Sequence, residues 1–221
     1  MKNKIILLLT ILFSIQFTNA QVEEYFHVNG QLASVGEWNS SGKTGQWKSY
    51  YENGKLKSIG KYEYGREIGR WKYYHENGQL KEIGECVYTI VLNGRTGEWK
   101  SYYENGRLMN IGEYDTGGLG DYFPRKGEWK YYHEDGELMQ IGSFKNGRKT
   151  NEWNIYHNNT SLYQTRLFKD GKLMDIISCF DNKGNPLNKG TLINGKGTVN
   201  EYDENGKLTK TIKYYNGKSY R

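Results

Sequence analysis

One phrase is written four times in this chain: GQWKSYYENGKLKSIG from Gly45, GRWKYYHENGQLKEIG from Gly69, GEWKSYYENGRLMNIG from Gly97 and GEWKYYHEDGELMQIG from Gly127. A unit this short cannot bury a core alone, so its copies must stack, and the repeat governs every other inference. Successive Trp residues, Trp47, Trp71, Trp99, Trp129 and Trp153, lie 24, 28, 30 and 24 residues apart. A degenerate copy runs from Tyr25 to Gly36. The copy at Trp153 keeps Leu162, Phe168 and Gly171 but loses the turn glycine, and the tail regains the pattern at Gly197, Tyr202, Asn205-Gly206 and Leu208.

Asn-Gly between β-prone runs is the strongest short-range hairpin signal, because a two-residue turn wants positive φ at both positions. Taking Asn105-Gly106 as that turn sets Glu104 against Arg107, Tyr103 against Leu108, Tyr102 against Met109 and Trp99 against Gly112. Alternation then puts Trp99, Ser101, Tyr103, Leu108 and Tyr114 on a ring-rich face, and Lys100, Tyr102, Ile111 and Glu113 on a mostly charged one. A strand glycine opposite an indole suggests that Trp99 lies over Gly112, and likewise for Trp47/Gly60, Trp71/Gly84 and Trp129/Gly142. The longer spacings come from insertions in ECVYTIVLNGRTG and EYDTGGLGDYFPRKG. They add four and six residues to the period of 24. Even insertions keep the rings on one face, since a one-residue slip would invert it. No part of the chain after residue 20 has a helical period. The expected fold is all-β, an extended meander of repeated antiparallel β-hairpins of roughly a dozen strands.

Residues 1–20, MKNKIILLLTILFSIQFTNA, combine a positive start at Lys2 and Lys4 with an apolar run and a small residue before the cut. That is the pattern of a signal peptide cleaved between Ala20 and Gln21. The run is short of the roughly 20 residues that a membrane span needs. The expected organisation is therefore a signal peptide at 1–20, regular repeats at 21–171 and divergent repeats of the same array at 172–221. The expected location is across the inner membrane: periplasmic, outer-surface or secreted. Losing Lys2 and Lys4 takes the formal charge from +6 to +4. Lys and Glu alternate rather than cluster, which speaks against nucleic acid as a partner. Cys86 and Cys179 should stand at least six strands apart, roughly 30 Å at about 4.8 Å per strand. A disulfide needs Cα atoms within about 7 Å, so two free thiols are expected.

Gly45, Trp47, Tyr50, Asn53-Gly54, Leu56, Tyr62 and Gly65, with their counterparts in later units, resemble the MORN repeat group. The closer likeness is to its bacterial variant, often labelled antitoxin-like. The resemblance covers roughly residues 25–171 and 195–217. It implies a β-hairpin array serving as a scaffold or binding surface, with no catalytic residues to carry over. It also raises peripheral membrane contact, for which the sequence holds no basic cluster.

Candidate chemistry is sparse. His27, His75, His133 and His157 occupy the slot that Tyr51 and Tyr103 fill elsewhere. Equivalent positions lie two strands apart, about 9–10 Å, too far for neighbouring units to share an ion held at about 2 Å. A structural role is expected, with no metal and no cofactor. Glu52, Glu76, Glu104 and Glu134 precede the turns as exposed acids, with no second carboxylate arranged for acid–base work. No nucleophile elbow, P-loop or zinc motif occurs, so an enzyme is not expected. Two binding candidates remain. One is the insertion loop with Tyr122, Phe123 and Arg125, whose rings and guanidinium have hot-spot character. The other is the aromatic face of Trp47, Trp71, Trp99, Trp129 and Trp153, which either stacks on itself or awaits a partner. The expected function is a non-enzymatic, exported surface for another protein. The alternative is a glycan- or cell-wall-binding aromatic array.

Overall fold

A computed structural model describes residues 20–88, 93–116 and 124–220, and these are all β. Thirteen strands form one antiparallel meander in sequence order. They are β1 (Gln21–Phe26), β2 (Leu32–Asn39), β3 (Gly42–Tyr50), β4 (Leu56–Glu63), β5 (Arg66–Tyr74), β6 (Leu80–Tyr88) and β7 (Asn93–Tyr102). β8 (Leu108–Tyr114), β9 (Arg125–Tyr132), β10 (Leu138–Lys145), β11 (Arg148–Tyr156), β12 (Leu162–Lys169) and β13 (Lys172–Cys179) complete it. A separate sheet holds β14 (Gly197–Tyr202), β15 (Leu208–Tyr215) and β16 (Lys218–Tyr220).

The register within each hairpin is the one the repeat dictates: Trp47 pairs with Gly60, Trp71 with Gly84, Trp99 with Gly112 and Trp129 with Gly142. Near the turns it differs. Tyr102 pairs with Leu108, one residue off the expected Met109. The Tyr103 N–H donates to the Arg107 carbonyl and the Gly106 N–H to the Tyr103 carbonyl, each at 2.9 Å. Gly106 has φ +81°, and Asn105 is not left-handed. This is a three-residue loop ending in a glycine bulge rather than a two-residue turn. Glu104 therefore stands at the loop tip, not opposite Arg107. True two-residue turns, with positive φ at both positions, occur on the opposite edge at Tyr64-Gly65, Asn146-Gly147 and Asp170-Gly171.

The pairing between hairpins decides where the rings go. Ile111 pairs with Lys130 but Glu113 with Lys126, so Gly112 alone faces Gly127, Glu128 and Trp129. Gly127 takes φ +61° to make this bulge, and in the last unit Asn151 takes φ +58° at the same place. Asn is one of the few side chains at ease there. The bulge swings the indole across the sheet onto the preceding hairpin. A Cβ on Gly112 would sit 2.2 Å from the Trp129 ring. Gly36, Gly60, Gly84 and Gly142 are covered in the same way by Trp47, Trp71, Trp99 and Trp153. Each glycine thus seats the indole of the next hairpin, not of its own. The expected Trp99-over-Gly112 contact is corrected accordingly. Four indoles fix the arrangement further by donating Nε1–H to the carbonyl just after the glycine. These are Trp47 to Glu37, Trp99 to Glu85, Trp129 to Glu113 and Trp153 to Ser143, at 2.9–3.2 Å.

Both ends of the array depart from this scheme. Glu23 pairs with Gly36 where later units place Trp, so β1 carries no indole. Arg166 pairs with Trp153 where earlier units place glycine, so β12 offers no seat for another ring. Of residues 172–221, expected to continue the array, only β13 extends the sheet. β13 is the last strand of the meander, and β14–β16 form their own sheet against it. Val199, 1 % exposed, occupies the Trp position of the tail repeat and packs with Leu173, Ile176 and Leu192. Arg166 reaches Glu201 at 3.7 Å, and Gln164 Nε2 donates to the Asn200 carbonyl at 3.2 Å. Cys86 on β6 and Cys179 on β13 are free and buried, with six strands between them.

Candidate functional site

The aromatic face is closed. Trp47, Trp71, Trp99, Trp129 and Trp153 are 0–2 % exposed. Each meets at least two other rings at 5.1–6.5 Å, in an alternating row through Tyr62, Tyr73, Tyr114, Tyr131, Phe144 and Phe168. Aromatic pairs of this kind contribute about 0.5–1.5 kcal/mol each beyond their buried area. These five indoles, one of the two candidate binding features, are therefore spent on holding hairpin to hairpin and present no face to a ligand.

The row is roofed by charge, a feature that sequence reasoning missed. Lys43, Arg95, Arg125 and Lys149 lie 4.2, 4.1, 4.5 and 3.9 Å from the ring centres of Trp47, Trp99, Trp129 and Trp153. The signal was present in the sequence: each cation stands four residues before its Trp. Cations over indoles contribute about 0.5–2 kcal/mol. Burial, then the neighbouring Arg166 and Arg125, lowers the Lys149 ammonium to about 8. The unit of Trp71 breaks the rule with Glu67. The Glu67 carboxylate accepts from Tyr73 Oη at 2.9 Å, Tyr62 Oη at 3.4 Å and Cys86 Sγ at 3.8 Å.

Arg125 was expected in an interaction loop with Tyr122 and Phe123. Instead it opens β9, with its guanidinium over Trp129 and Nη1 donating to Tyr131 Oη at 2.9 Å. Its position four residues before Trp129 places it in the roof. Tyr122 and Phe123 lie outside the described residues, as do residues 1–19, the segment expected to be a signal peptide. Gln21 begins β1, directly after Ala20.

What remains outward and regular is the turn edge. Asn53, Asn77 and Asn105 each accept the N–H two residues on and donate Nδ2–H to the next unit's turn, at the carbonyls of Glu76, Glu104 and Glu134. Asn was read from the sequence as a residue for positive φ; its role is this ladder. Asp135 keeps the inward bond, to the Glu137 N–H at 3.0 Å, and has no amide hydrogen to pass on. The slot before the turn is a second ladder. Tyr51 and Tyr103 donate to the carbonyls of Tyr74 and Tyr132 at 2.6 Å. His27, His75 and His157 set Nε2 2.8–3.0 Å from the carbonyls of Tyr50, Tyr102 and Phe180. A carbonyl only accepts, so Nε2 carries the proton in each. His133 Nε2 is buried with no partner among the described residues. His27, His75 and His157 are thus rungs between units. Glu52, Glu76, Glu104 and Glu134 project, exposed, along the same edge. We expect Asn105→Asp, which keeps the turn and removes the rung, to cost about 0.5–1.5 kcal/mol. Thermal unfolding should show the midpoint lower by a few degrees.

Comparison with known proteins fits this geometry. The family model described as MORN repeat variant matches residues 43–64, 67–85, 95–116, 125–146 and 196–218. These five segments are similar to the MORN repeat variant. The last of them is the tail sheet, so one matching unit folds outside the meander. MORN repeats generally act as binding or scaffold modules. No curated protein matches the chain. Among solved structures, TcdB2-TccC3 is similar at 13 % identity and TM-score 0.26, covering 91 % of this chain and 11 % of that one. TcdB2-TccC3-Cdc42 is similar at 11 % identity and TM-score 0.23, covering 89 % of this chain and 11 % of that one. The chain spans about a tenth of the length of those proteins, and likeness this slight informs neither fold nor function.

Proposed function

We propose that this chain is an exported, non-enzymatic MORN-repeat scaffold that presents its stacked turn edge to another protein. One observation carries the reading: the rings are consumed inside the array, while Glu52, Glu76, Glu104 and Glu134 stand exposed at repeat spacing on a hydrogen-bonded edge. An edge fixed in this way loses little conformational entropy when a partner docks. Export rests on the residue 1–20 pattern, and mass spectrometry of the processed protein should find Gln21 at its N-terminus. An antitoxin role gains nothing from this geometry, and export would separate the chain from a cytoplasmic toxin. A glycan- or cell-wall-binding aromatic array would need indoles open to sugar, and the closed row counts against it. Cross-linking in envelope fractions should recover a protein partner from the native chain and lose it when these four glutamates are changed to Gln. Retention on insoluble polysaccharide or choline resin, with no protein recovered, would reverse the order of the two readings.

A further inference from the structure

The geometry points to Tyr73 as a buried one-electron oxidation sink, fed by the ring row and served by Glu67 as the proton acceptor. The row has an outer end at Tyr25 and Trp38, 42 % and 39 % exposed, which lie 6.2 and 6.5 Å from Trp47. From Trp47 the ring centres continue through Tyr62 at 6.0 Å, Trp71 at 5.1 Å and Tyr73 at 5.7 Å. Rings this close exchange electrons readily, so a vacancy made at the outer end moves inward until something holds it.

Charge decides where it is held. A cation against a ring opposes positive charge on that ring. Trp47, Trp99, Trp129 and Trp153 each carry one at 3.9–4.5 Å. Among the described residues none lies over Trp71; the equivalent position is the Glu67 carboxylate. Trp47 and Tyr62 near Lys43, and Trp99 under Arg95 and 6.4 Å beyond Tyr73, are all poorer holders than Trp71, so a vacancy crosses the first two without settling and is not drawn on to Trp99.

A neutral phenoxyl radical needs a base for its proton. Tyr73 Oη donates to Glu67 at 2.9 Å. Burial, and then the Glu67 carboxylate, raises the Tyr73 phenol far above its usual range, as expected of a phenol beside an ionised acceptor. Tyr62 Oη also reaches Glu67, but at 3.4 Å and with Lys43 5.1 Å from its ring, so it holds a radical less well. Tyr51 and Tyr103 donate only to backbone carbonyls, which cannot take a proton, and Tyr131 receives a bond from Arg125. Tyr25 also donates to a carboxylate, Glu23 at 3.1 Å, but its exposure leaves a radical there open to quenching by solutes.

The step balances. An outer-sphere one-electron oxidant takes one electron from Trp38 or Tyr25 and is reduced by one electron. The vacancy passes to Trp71. The Tyr73 O–H bond then breaks, its electron filling the Trp71 vacancy and its proton going to Glu67 Oε2. The products are a Tyr73 phenoxyl radical, a neutral Glu67 carboxylic acid and otherwise restored rings.

The test is flash oxidation of the full chain with photogenerated tris(bipyridyl)ruthenium(III), followed by rapid freezing and electron paramagnetic resonance. A tyrosyl signal is expected that disappears in Tyr73→Phe, persists in Tyr103→Phe and gives way to an indole radical in Glu67→Gln. An undiminished tyrosyl signal in Tyr73→Phe overturns the sink. An unchanged signal in Glu67→Gln overturns the proton acceptor. Glu67→Gln keeps the shape of the side chain, so it remains informative if Tyr73→Phe folds poorly.

Discussion

Gly112→Ala should destabilise the protein by about 1–3 kcal/mol, the usual cost of forcing an extra carbon into a packed site. The added Cβ would lie 2.2 Å from Cδ2 of an indole that is 1 % exposed and fixed by a hydrogen bond to the Glu113 carbonyl. Trp129→Ala should cost about 3–5 kcal/mol, because it empties the same seat from the other side. The decisive measurement is a double-mutant cycle by denaturant unfolding. Gly112→Ala should be strongly non-additive with Trp129→Ala, since the clash vanishes with the ring. It should be nearly additive with Trp99→Ala, although Trp99 is the direct strand partner of Gly112. Residues sharing a contact couple and others add within about 0.5 kcal/mol. Coupling to Trp99 instead would mean that the indoles sit within their own hairpins.

Alkali should destabilise the array, with the net loss setting in above about pH 10, where ordinary phenols ionise. Burial, and then the Glu67 carboxylate, pushes the Cys86 thiol up to about 12. The same causes push the Tyr62 phenol up to about 12 and Tyr73 further. All three stay protonated in the fold at pH values where the unfolded chain has released their protons. The folded state then binds more protons, so stability falls as pH rises. This contribution is complete below the unfolded values, 9.0 for the thiol and 10.0 for the phenols, and is lost toward about 12. Lys149 opposes it. Its folded value of about 8 lies below its ordinary 10.5, so between these the unfolded chain binds the extra proton and stability rises. Lys149 acts alone between about pH 8 and 9, Cys86 offsets it from 9 to 10, and the two phenols tip the balance above pH 10. Thermal melts across pH 7–11 should show the midpoint rising slightly to about pH 9, level to about pH 10 and falling above it, with the rise prolonged to about pH 10 in Cys86→Ala. A flat profile would mean that this cluster is open to solvent in the fold.

Much of the fold was legible because it is local. The direct pairing of Trp99 with Gly112 follows from counting outward from one turn, and the loop's shift to three residues changes it only next to the tip. The free state of Cys86 and Cys179 followed from strand spacing alone. The candidate site was read less well. Arg125 looked like a loop residue because it follows an insertion, yet it obeys the rule of a cation four residues before Trp. Asn105 looked like a residue for positive φ, yet its amide joins neighbouring turns across 29 positions in sequence.

By itself the sequence determined an all-β repeat array, its in-hairpin register and the ring-rich character of one face. These depend on alternation and on turns a few residues long. Only the tertiary structure decided which indole covers which glycine, that the ring face closes on itself, and that the tail forms its own sheet. Those outcomes depend on the bulge at Gly127 and its counterparts, which shifts each Trp by two residues against the preceding hairpin. They also depend on Arg166, which occupies the seat a further indole would need. A bulge is a competition between backbone strain and the burial of a ring on a neighbouring hairpin, and that neighbour exists only once the chain has folded.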